Sequence, residues 1–437
     1  MYRHIYTELQ NWKERPNRKP LILKGVRQCG KTWLLKEFAA RNFADVAYFN
    51  FEGNEQLQDC FEKNLDVRRI VRELGQIRHK AIDADTTVVV FDEIQFCPNA
   101  LTSLKYFQEN LPGLAILCAG SLLGLALAKP YSFPVGKVTF LTLYPMNFSE
   151  FLLACGEEYL SAYLRELPVG EKIPSALFTE FWDRYREYLL VGGMPEAVLT
   201  WVETQDLESV DRVLDDILQS YELDFAKHAP AAEFPKLSAI WRSVPQQLSR
   251  ENKKFVYSEV LRGGRARNLS DALGWLISAG LIHQVGVIDR PVFPLQPPAD
   301  SASFKVYVCD AGLLRRMSRF PADGFLSDRT DLSYLRGAIA ENFVLTELVS
   351  ASGEVPVCWR SGNSAEVEFV IQAGENIVPV EVKAGVHTMS RSLRVYRERF
   401  HPGFSVRLSR KNAGRVEEEG VLVSLPLFLA GELRRFL

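Results

Sequence analysis

Residues 25–32 read GVRQCGKT and place glycine, lysine and threonine at the spacing that lets a loop surround a phosphate group. Gly25 and Gly30 allow backbone angles that other residues resist, so peptide N–H groups can turn inward around phosphate oxygens at a helix N-terminus. Lys31 is expected to reach the β and γ phosphates, and the Thr32 hydroxyl to ligate Mg²⁺. The predicted ATP site comprises Gly25, Val26, Arg27, Gln28, Cys29, Gly30, Lys31, Thr32 and Trp33.

Two acids, Asp92 and Glu93, follow an apolar run at residues 88–91. Such a run predicts a strand buried on both faces, and ligands bind beyond the carboxyl ends of such strands. We expect Asp92 to hold Mg²⁺, directly or through water. Glu93 is expected to polarise the attacking water, because hydrolysis needs a second acid beside the metal-binding one. The alternative is an ordinary strand end that faces solvent.

A third polar residue, Ser121, follows the apolar run AILCAG. This run resembles the strand that lies between the other two in additional-strand P-loop ATPases. The resemblance implies that Ser121 senses the γ-phosphate, with Lys31 and Glu93 as the other catalytic residues. A serine that only caps a helix N-terminus is the alternative.

The elements that must position these residues follow from the apolar pattern. Strand-like runs occur at residues 21–24, 46–51, 87–92, 115–119 and 138–143, with helix-like stretches at 33–41 and 65–77. This alternation predicts an α/β fold with a doubly wound parallel sheet in the first third of the chain. Leucine and aromatic spacing of three and four predicts helices from about residue 148, and the last third returns to mixed α and β.

Composition limits the remaining possibilities. The 437 residues are 47% hydrophobic and 24% charged, which excludes a fully disordered chain and allows two or three domains. The formal net charge is −2, so any basic surface must be local. The seven cysteines include no CxxC pair, and the six histidines are isolated, which disfavours a disulfide framework or a zinc site. No apolar run reaches the roughly 18 residues that span a membrane, and the N-terminus is polar, so we expect a cytoplasmic protein without membrane contact.

The motifs together resemble prokaryotic AAA-type ATPases that carry a C-terminal restriction-endonuclease-like domain of uncharacterised function. The resemblance covers nearly the whole chain and is carried by GVRQCGKT, VVVFDEIQ, CAGSLL, GKVTFLTLYPMNFSEFL, YLLVGGMPEAV, KVYVCDAGLL, GAIAENFVLTEL, AEVEFVI and PVEVKAG. It implies four segments: a P-loop ATPase core at 1–147, a helical extension at 148–235, a winged-helix-like segment with a proline-rich loop at 236–303, and an endonuclease-like domain at 304–437.

The resemblance also implies a second site. Nucleases of this type use a helix acid, a strand acid and an E-x-K on the next strand, which Glu341, Glu368, Glu381 and Lys383 match. Residues i and i+2 of a strand project from one face, so Glu381 and Lys383 can point together at a metal-bound water. The departure is Glu368, where related sequences usually have Asp, and one added methylene displaces a metal ligand. A solvated strand face is the alternative.

A second departure concerns the arginine finger. Related sequences usually have Gly-Arg where this chain has Gly136 and Lys137, and lysine lacks the planar fork that binds phosphate bidentately. Arg27 and Arg184 are weaker candidates for this role.

Two basic islands stand out in a chain of balanced charge. Residues 236–267 carry Lys236, Arg242, Arg250, Lys253, Lys254, Arg262, Arg265 and Arg267 against two acids. Residues 390–411 carry Arg391, Arg394, Arg397, Arg399, Arg407, Arg410 and Lys411 against one acid. Both are candidate surfaces for DNA or RNA, and a solvated helix face or a surface that docks on an acidic neighbour is the alternative.

Three functions are consistent with these observations. The leading hypothesis is a Mg²⁺- and ATP-dependent molecular switch that hydrolyses ATP and acts on or with nucleic acid. The second is an ATP-gated DNA endonuclease, and the third is a nucleotide-regulated scaffold that binds DNA or a protein partner without cutting. Assembly into a homo-oligomer is compatible with all three.

Overall fold

The computed structural model describes residues 1–120, 136–296, 303–325, 332–362, 365–385 and 391–437. The chain forms two compact units. The smaller comprises residues 2–144 and 278–280, and the larger comprises residue 1 with 145–277 and 281–437.

The smaller unit is built around a five-stranded sheet in which every observed pairing is parallel. The strand order is β2-β3-β4-β1-β5, so β4 lies between β1 and β3 as predicted. The elements are α1 Ile5–Glu14, β1 Leu21–Lys24, α2 Lys31–Asn42, β2 Asp45–Asn50, α3 Glu55–Glu62, α4 Val67–Ile77, β3 Thr87–Asp92, α5 Pro98–Asn110, β4 Ala115–Ala119 and β5 Thr139–Thr142.

Continuous apolar strands fix the centre of this sheet. All six residues of β3 and all five of β4 are buried, as expected for parallel strands with helices on both faces. On one face the ring of Phe91 lies 5.5 Å from that of Phe51, 5.9 Å from that of Phe61 and 6.3 Å from that of Phe107. These contacts pack α3 and α5 against the strand whose carboxyl end carries Asp92.

The larger unit begins with helices and ends with a mixed sheet, so the predicted α/β fold class, helical middle and mixed C-terminal region are confirmed. Its helices are α6 Phe148–Ala154, α7 Glu158–Glu166, α8 Ser175–Val191, α9 Pro195–Thr204, α10 Leu207–His228, α11 Phe234–Leu248, α12 Tyr257–Val260, α13 Ala266–Ser278, α14 Ala311–Met317, α15 Ser333–Ser352 and α16 Arg391–Phe400. Its strands are β6 Ile282–Ile288, β7 Phe304–Val308, β8 Val357–Ser361, β9 Ala365–Ala373, β10 Asn376–Val382, β11 Phe404–Ser409, β12 Gly414–Glu417 and β13 Val421–Pro426.

These strands form one eight-stranded sheet in the order β12-β13-β11-β10-β9-β8-β6-β7. The β6–β7 hairpin follows α11, α12 and α13, which is the element order of a winged helix. Because β6 also pairs with β8, the sheet is continuous across the predicted boundary at residue 303. The four-segment division stays a prediction.

The motifs PMNF, GGMP and CDAG meet inside the larger unit. The Met146 N–H donates to the Gly193 carbonyl at 2.7 Å, and the Gly193 N–H donates to Asp310 Oδ2 at 2.6 Å. A Cβ at Gly193 would lie 2.0 Å from the Met146 oxygen, so only glycine fits. The Phe148 N–H donates to Glu347 Oε1 at 2.8 Å, and burial raises the pKa of Glu347 to about 8. These three motifs are thus explained by packing.

None of the helices in the described part of the chain has the length and apolar character of a membrane span.

Candidate nucleotide site and carboxylate cluster

The predicted phosphate-binding loop connects β1 to α2. Gly25 has φ +156°, and a Cβ there would lie 2.2 Å from the Leu143 carbonyl oxygen. Gly30 has φ +93° and precedes the first residue of α2. Both positions therefore require glycine, the first because of close backbone approach and the second because of its left-handed conformation. The loop ends at the N-terminus of a 12-residue helix, as anion binding requires.

Lys31 is the first residue of α2 and its side chain is folded into the loop. Its Nζ atom donates to the Gly25 carbonyl at 3.0 Å and to the Val26 carbonyl at 2.8 Å. The residue is only 6% exposed. The ammonium group therefore already lies within the loop that is predicted to surround phosphate.

Asp92 and Thr32 come together from two different elements. Thr32 Oγ1 donates to Asp92 Oδ2 at 2.8 Å, across a separation of 60 residues. Asp92 Oδ1 accepts from the Glu93 N–H at 3.1 Å. The two side chains predicted to hold Mg²⁺ are thus direct neighbours at the carboxyl end of the central sheet.

Tyr48 is a member of this site that the sequence analysis did not identify. Its hydroxyl donates to Asp92 Oδ2 at 2.7 Å, and burial together with this bond raises the pKa of Tyr48 well above its usual value. The Lys36 ammonium lies 3.8 Å from the centroid of the tyrosine ring. The parallel register of β2 and β3 explains the position of Tyr48. In this register Asn50 lies opposite Asp92, and Tyr48 lies two residues before Asn50 in β2.

Glu93 leaves the strand in a left-handed conformation, with φ +50° and ψ +43°. Such a conformation in a residue other than glycine is uncommon and is often found at functional sites. The Gln95 amide donates to Glu93 Oε2. Glu93 is therefore turned away from the direction of β3 and held by a residue two positions further along the chain.

The other predicted nucleotide-binding residues differ in exposure. Trp33 is 48% exposed, and Cys29 is fully buried with its Sγ 3.5 Å from the Leu143 carbonyl oxygen. The Cys29 carbonyl accepts from Arg3 Nη1 at 3.0 Å, a contact that the sequence analysis missed. Ser121 lies outside the described residues.

The finger candidates have partners of their own. Lys137 lies 3.0 Å from Glu109. Arg184 forms ion pairs with Glu157 and Glu187. The structure gives neither side chain a role toward a nucleotide, and the identity of a finger stays open.

The four residues predicted to form a nuclease site are brought together in the larger unit. Lys383 Nζ lies 2.6 Å from Glu381 Oε1 and 3.4 Å from Glu368 Oε1. Glu368 Oε2 accepts from the Val382 N–H at 3.1 Å. Burial, followed by the neighbouring Glu381 and Glu341 charges, raises the pKa of Glu368 to about 8.

Further cations contact acids of the same group. Lys253 forms an ion pair with Glu341, and Lys305 forms one with Glu366. Arg360 Nε also donates to Glu366 at 2.8 Å. We call the acids Glu341, Glu366, Glu368 and Glu381 the carboxylate cluster. Sequence reasoning placed Lys253 in a basic island and did not identify Lys305, Arg360 or Glu366, because the contacts of all four are set by the tertiary fold.

The carboxylate cluster does not fit a divalent metal ion. Each of its four acids already has an oxygen in contact with an ammonium or guanidinium group of the protein. Within the part of the chain that the structure describes, no three or more Asp, Glu, His or Cys side chains are arranged to hold a metal ion. The metal-ligand roles of Glu341, Glu368 and Glu381 therefore have no support in this geometry.

Some cations of each basic island have partners within the protein. Lys236, Arg242, Arg250 and Lys253 pair with Glu233, Glu222, Glu259 and Glu341, respectively. In the second island Arg394 pairs with Glu398, and Arg397 donates to the Glu418 carbonyl. By contrast, Arg262, Arg265 and Arg267 are exposed and have no ion-pair partner among the described residues. We call these three residues the arginine patch.

Comparisons with known proteins agree with the fold of the smaller unit. The family described as "AAA domain" matches residues 17–152. Two families described as "Domain of unknown function" match residues 183–324 (DUF8612) and 336–428 (DUF4143). No curated protein matches the sequence significantly.

Similar solved structures share low identity with the chain. A Walker-type ATPase of Pyrococcus abyssi is 16% identical with a TM-score of 0.44, over 71% of this chain and 94% of that one. The Aeropyrum pernix ORC1 protein in complex with DNA is 15% identical with a TM-score of 0.29, over 75% of this chain and 95% of that one. These TM-scores are too low to support an argument about function.

The family match agrees with the parallel sheet, the phosphate-binding loop and the adjoining Asp92. Residues 17–152 thus match the family described as "AAA domain" in sequence and have the fold of a P-loop ATPase, and residues 336–428 match a family whose function is unknown.

Proposed function

We propose that the smaller unit binds ATP with Mg²⁺ and hydrolyses it. The observation that supports this most strongly is the bond between Thr32 and Asp92 beside a loop that already encloses the Lys31 ammonium. Metal-binding side chains, a cation and a helix N-terminus thus converge at one edge of the sheet. This is the combination that phosphoryl transfer to water needs.

Each residue has a definable task. The loop N–H groups and Lys31 would hold the phosphate oxygens, and Thr32 with Asp92 would hold Mg²⁺. Bound ATP supplies the phosphoanhydride bond that is broken, and Mg²⁺ offsets the negative charge of its phosphates. Glu93 would orient a water and accept its proton, which requires that its carboxylate leave the Gln95 amide.

Two variants test the site. Lys31→Ala should abolish nucleotide binding, measured with a fluorescent ATP analogue, because the loop loses its cation. Glu93→Gln should keep binding and lower phosphate release by at least about 10²-fold, the effect typical of losing a general base. Exposed residues Lys19 and Glu62 provide the matched controls Lys19→Ala and Glu62→Gln. Undiminished hydrolysis in both site variants would eliminate this proposal.

The arginine patch supports a second function, the binding of nucleic acid. Its three guanidinium groups lie at the turn before α13 and in its first residues, and no carboxylate of the described chain neutralises them. Phosphate contacts made by arginine weaken with salt because counterions are released on binding. Protein-only scaffolding is the outcome if no nucleic acid binds.

Charge reversal separates these outcomes. The triple change of Arg262, Arg265 and Arg267 to Glu should lower affinity for both DNA and RNA duplexes and reduce the slope of log K against log salt by roughly 3. Reversal of the paired residues Lys236 and Arg242 is the control, since Glu233 and Glu222 already neutralise them. Equal losses in both variants would argue against the arginine patch.

A further inference from the structure

The protein itself supplies the carboxylate cluster with as many cations as it has acids. Its four acids, Glu341, Glu366, Glu368 and Glu381, face four cations, Lys253, Lys305, Arg360 and Lys383. Even with all four acids ionised, a divalent ion added to this group would leave two positive charges in excess, and protonation of Glu368 would enlarge that excess. Metal sites of carboxylates normally have the opposite imbalance, with negative charge that the ion offsets.

Several charged groups of the cluster are also buried, so a charge without a partner there would be costly. Glu381 and Lys305 are each 1% exposed, and Glu341 is 6% exposed. A buried charge without a partner is strongly unfavourable, whereas a paired and hydrogen-bonded one is tolerated. Tyr307 adds such a hydrogen bond, with its hydroxyl 3.2 Å from Glu341 Oε2.

Lys253 is the cation that comes from furthest away, 88 residues before its partner Glu341. It lies between α11 and α12, outside the elements that supply the four acids. Hydrogen bonds hold the chain on both sides of Lys253. Arg360 Nη2 donates to Asn252 Oδ1 at 2.9 Å, and the Phe255 N–H donates to the Phe304 carbonyl at 2.8 Å. The ammonium is therefore held at Glu341 by the course of the backbone as well as by its own charge.

One atom of the cluster, Glu381 Oε2, is buried and has no hydrogen-bond partner in the described part of the chain. The other oxygen of the same carboxylate lies 2.6 Å from Lys383 Nζ, so the charge of the group is already offset. A single unpartnered oxygen does not make a metal site when the adjacent acids are held by lysines.

We propose that the carboxylate cluster is a metal-free ion-pair joint in which Lys253 stands in for a divalent cation. The joint fastens the segment between α11 and α12 to α15 and the adjoining sheet. It follows that the cluster does not support metal-dependent cleavage of nucleic acid. Removing the ammonium group of Lys253 frees Glu341 Oε1 and lowers the positive charge of the group, and the same cluster then becomes able to take a divalent ion.

Manganese binding to the full-length chain tests this directly. Free Mn²⁺ is measured by electron paramagnetic resonance without nucleotide, and every chain carries Asp92→Asn so that the phosphate loop does not contribute. With Lys253 present, Glu381→Gln should make no difference to bound Mn²⁺. Lys253→Met should bind one additional Mn²⁺ per chain, and Glu381→Gln in that chain should remove it. Lys253→Arg should restore the metal-free state.

The neighbouring residue supplies the matched control. Lys254→Met removes a lysine charge one residue away and should bind no additional Mn²⁺. Lys253→Met should also lower the Tm, and Glu341→Gln in the same chain should recover part of the loss, because it removes the unpaired buried carboxylate. If Lys253→Met fails to fold, Mn²⁺ binding to the parent chain still tests the proposal. One Mn²⁺ bound there and lost in Glu381→Gln would overturn the proposal.

Discussion

Tyr48 and Thr32 donate to the same oxygen of Asp92, at 2.7 and 2.8 Å. The carboxylate that we propose to hold Mg²⁺ is thus oriented by a residue of β2 as well as by one of α2. Groups that orient a metal ligand through hydrogen bonds contribute to metal affinity without touching the metal.

Tyr48→Phe should therefore weaken Mg²⁺ binding to the nucleotide-loaded protein by about 10-fold, within the range seen for such partners. Binding of ADP in the presence of EDTA should not change, because Lys31 and the loop are intact. Magnesium titrations of ATP turnover check the first expectation, and fluorescent ADP checks the second. Tyr6→Phe, which alters a hydroxyl bonded to Asn42, is the control. An unchanged magnesium dependence would contradict an orienting role.

Gly25→Ala should disrupt the loop, because the added Cβ would lie 2.2 Å from the Leu143 carbonyl oxygen. The expected result is loss of nucleotide binding and a lower Tm. Gly113→Ala is its matched control, since a Cβ there meets nothing within 4 Å. Nucleotide binding by Gly25→Ala at the affinity of the parent chain would show that the loop can adopt a different path.

Gly193→Ala tests whether the GGMP motif is structural. Its Cβ would lie 2.0 Å from the Met146 oxygen, so we expect a loss of several kcal/mol in the free energy of unfolding, the scale of backbone strain and broken buried hydrogen bonds. Gly274→Ala, in α13 and with open space around it, should instead stabilise by about 0.5–1 kcal/mol. Denaturant unfolding measures both, and the opposite signs make the pair informative.

Glu347 predicts a pH dependence of stability. Burial raises its pKa from 4.5 to about 8, so the folded state binds this proton more tightly than the unfolded state does. The free energy of unfolding should then fall as pH rises from about 4.5 through about 8, at no more than about 1.4 kcal/mol per pH unit. The stabilisation that the protonated Glu347 contributes is fully present below about pH 4.5.

Glu347→Gln should flatten this slope while keeping an acceptor for the Phe148 N–H. Unfolding measured at several pH values between 5 and 9 checks it. Glu368, whose pKa is also raised, should leave a residual slope of the same sign in the variant. A variant with the same pH profile as the parent chain would show that Glu347 is ionised in the folded protein at neutral pH.

The sequence predicted those parts of the fold that are encoded locally. The bounds of β1, β3 and β4 agree with the predicted runs at 21–24, 87–92 and 115–119, because buried parallel strands are uninterrupted apolar segments. The helices α1, α3 and α5 were not predicted. In α5 the buried residues Leu101, Leu104 and Phe107 have helical spacing, but this pattern covers only about two turns.

The candidate sites likewise contain a part that is encoded locally and a part that depends on the tertiary fold. The loop from Gly25 to Thr32 is contiguous, so its spacing was sufficient. Tyr48 and Lys253 reach their partners across 44 and 88 residues, and only strand register and helix packing decide such contacts. Nucleic-acid binding by the basic islands stays a prediction, but the sequence could not tell which of their cations are already paired, since the acids that neutralise Arg242 and Lys253 come from helices distant along the chain.

The position of Cys29 has a practical consequence. Its thiol is sealed between the loop and the Leu143 carbonyl, so a small alkylating reagent can reach the sulfur only while the loop is lifted. The rate at which Cys29 is modified therefore reports loop opening in the unlabelled protein. Nucleotide that closes the loop should slow this modification.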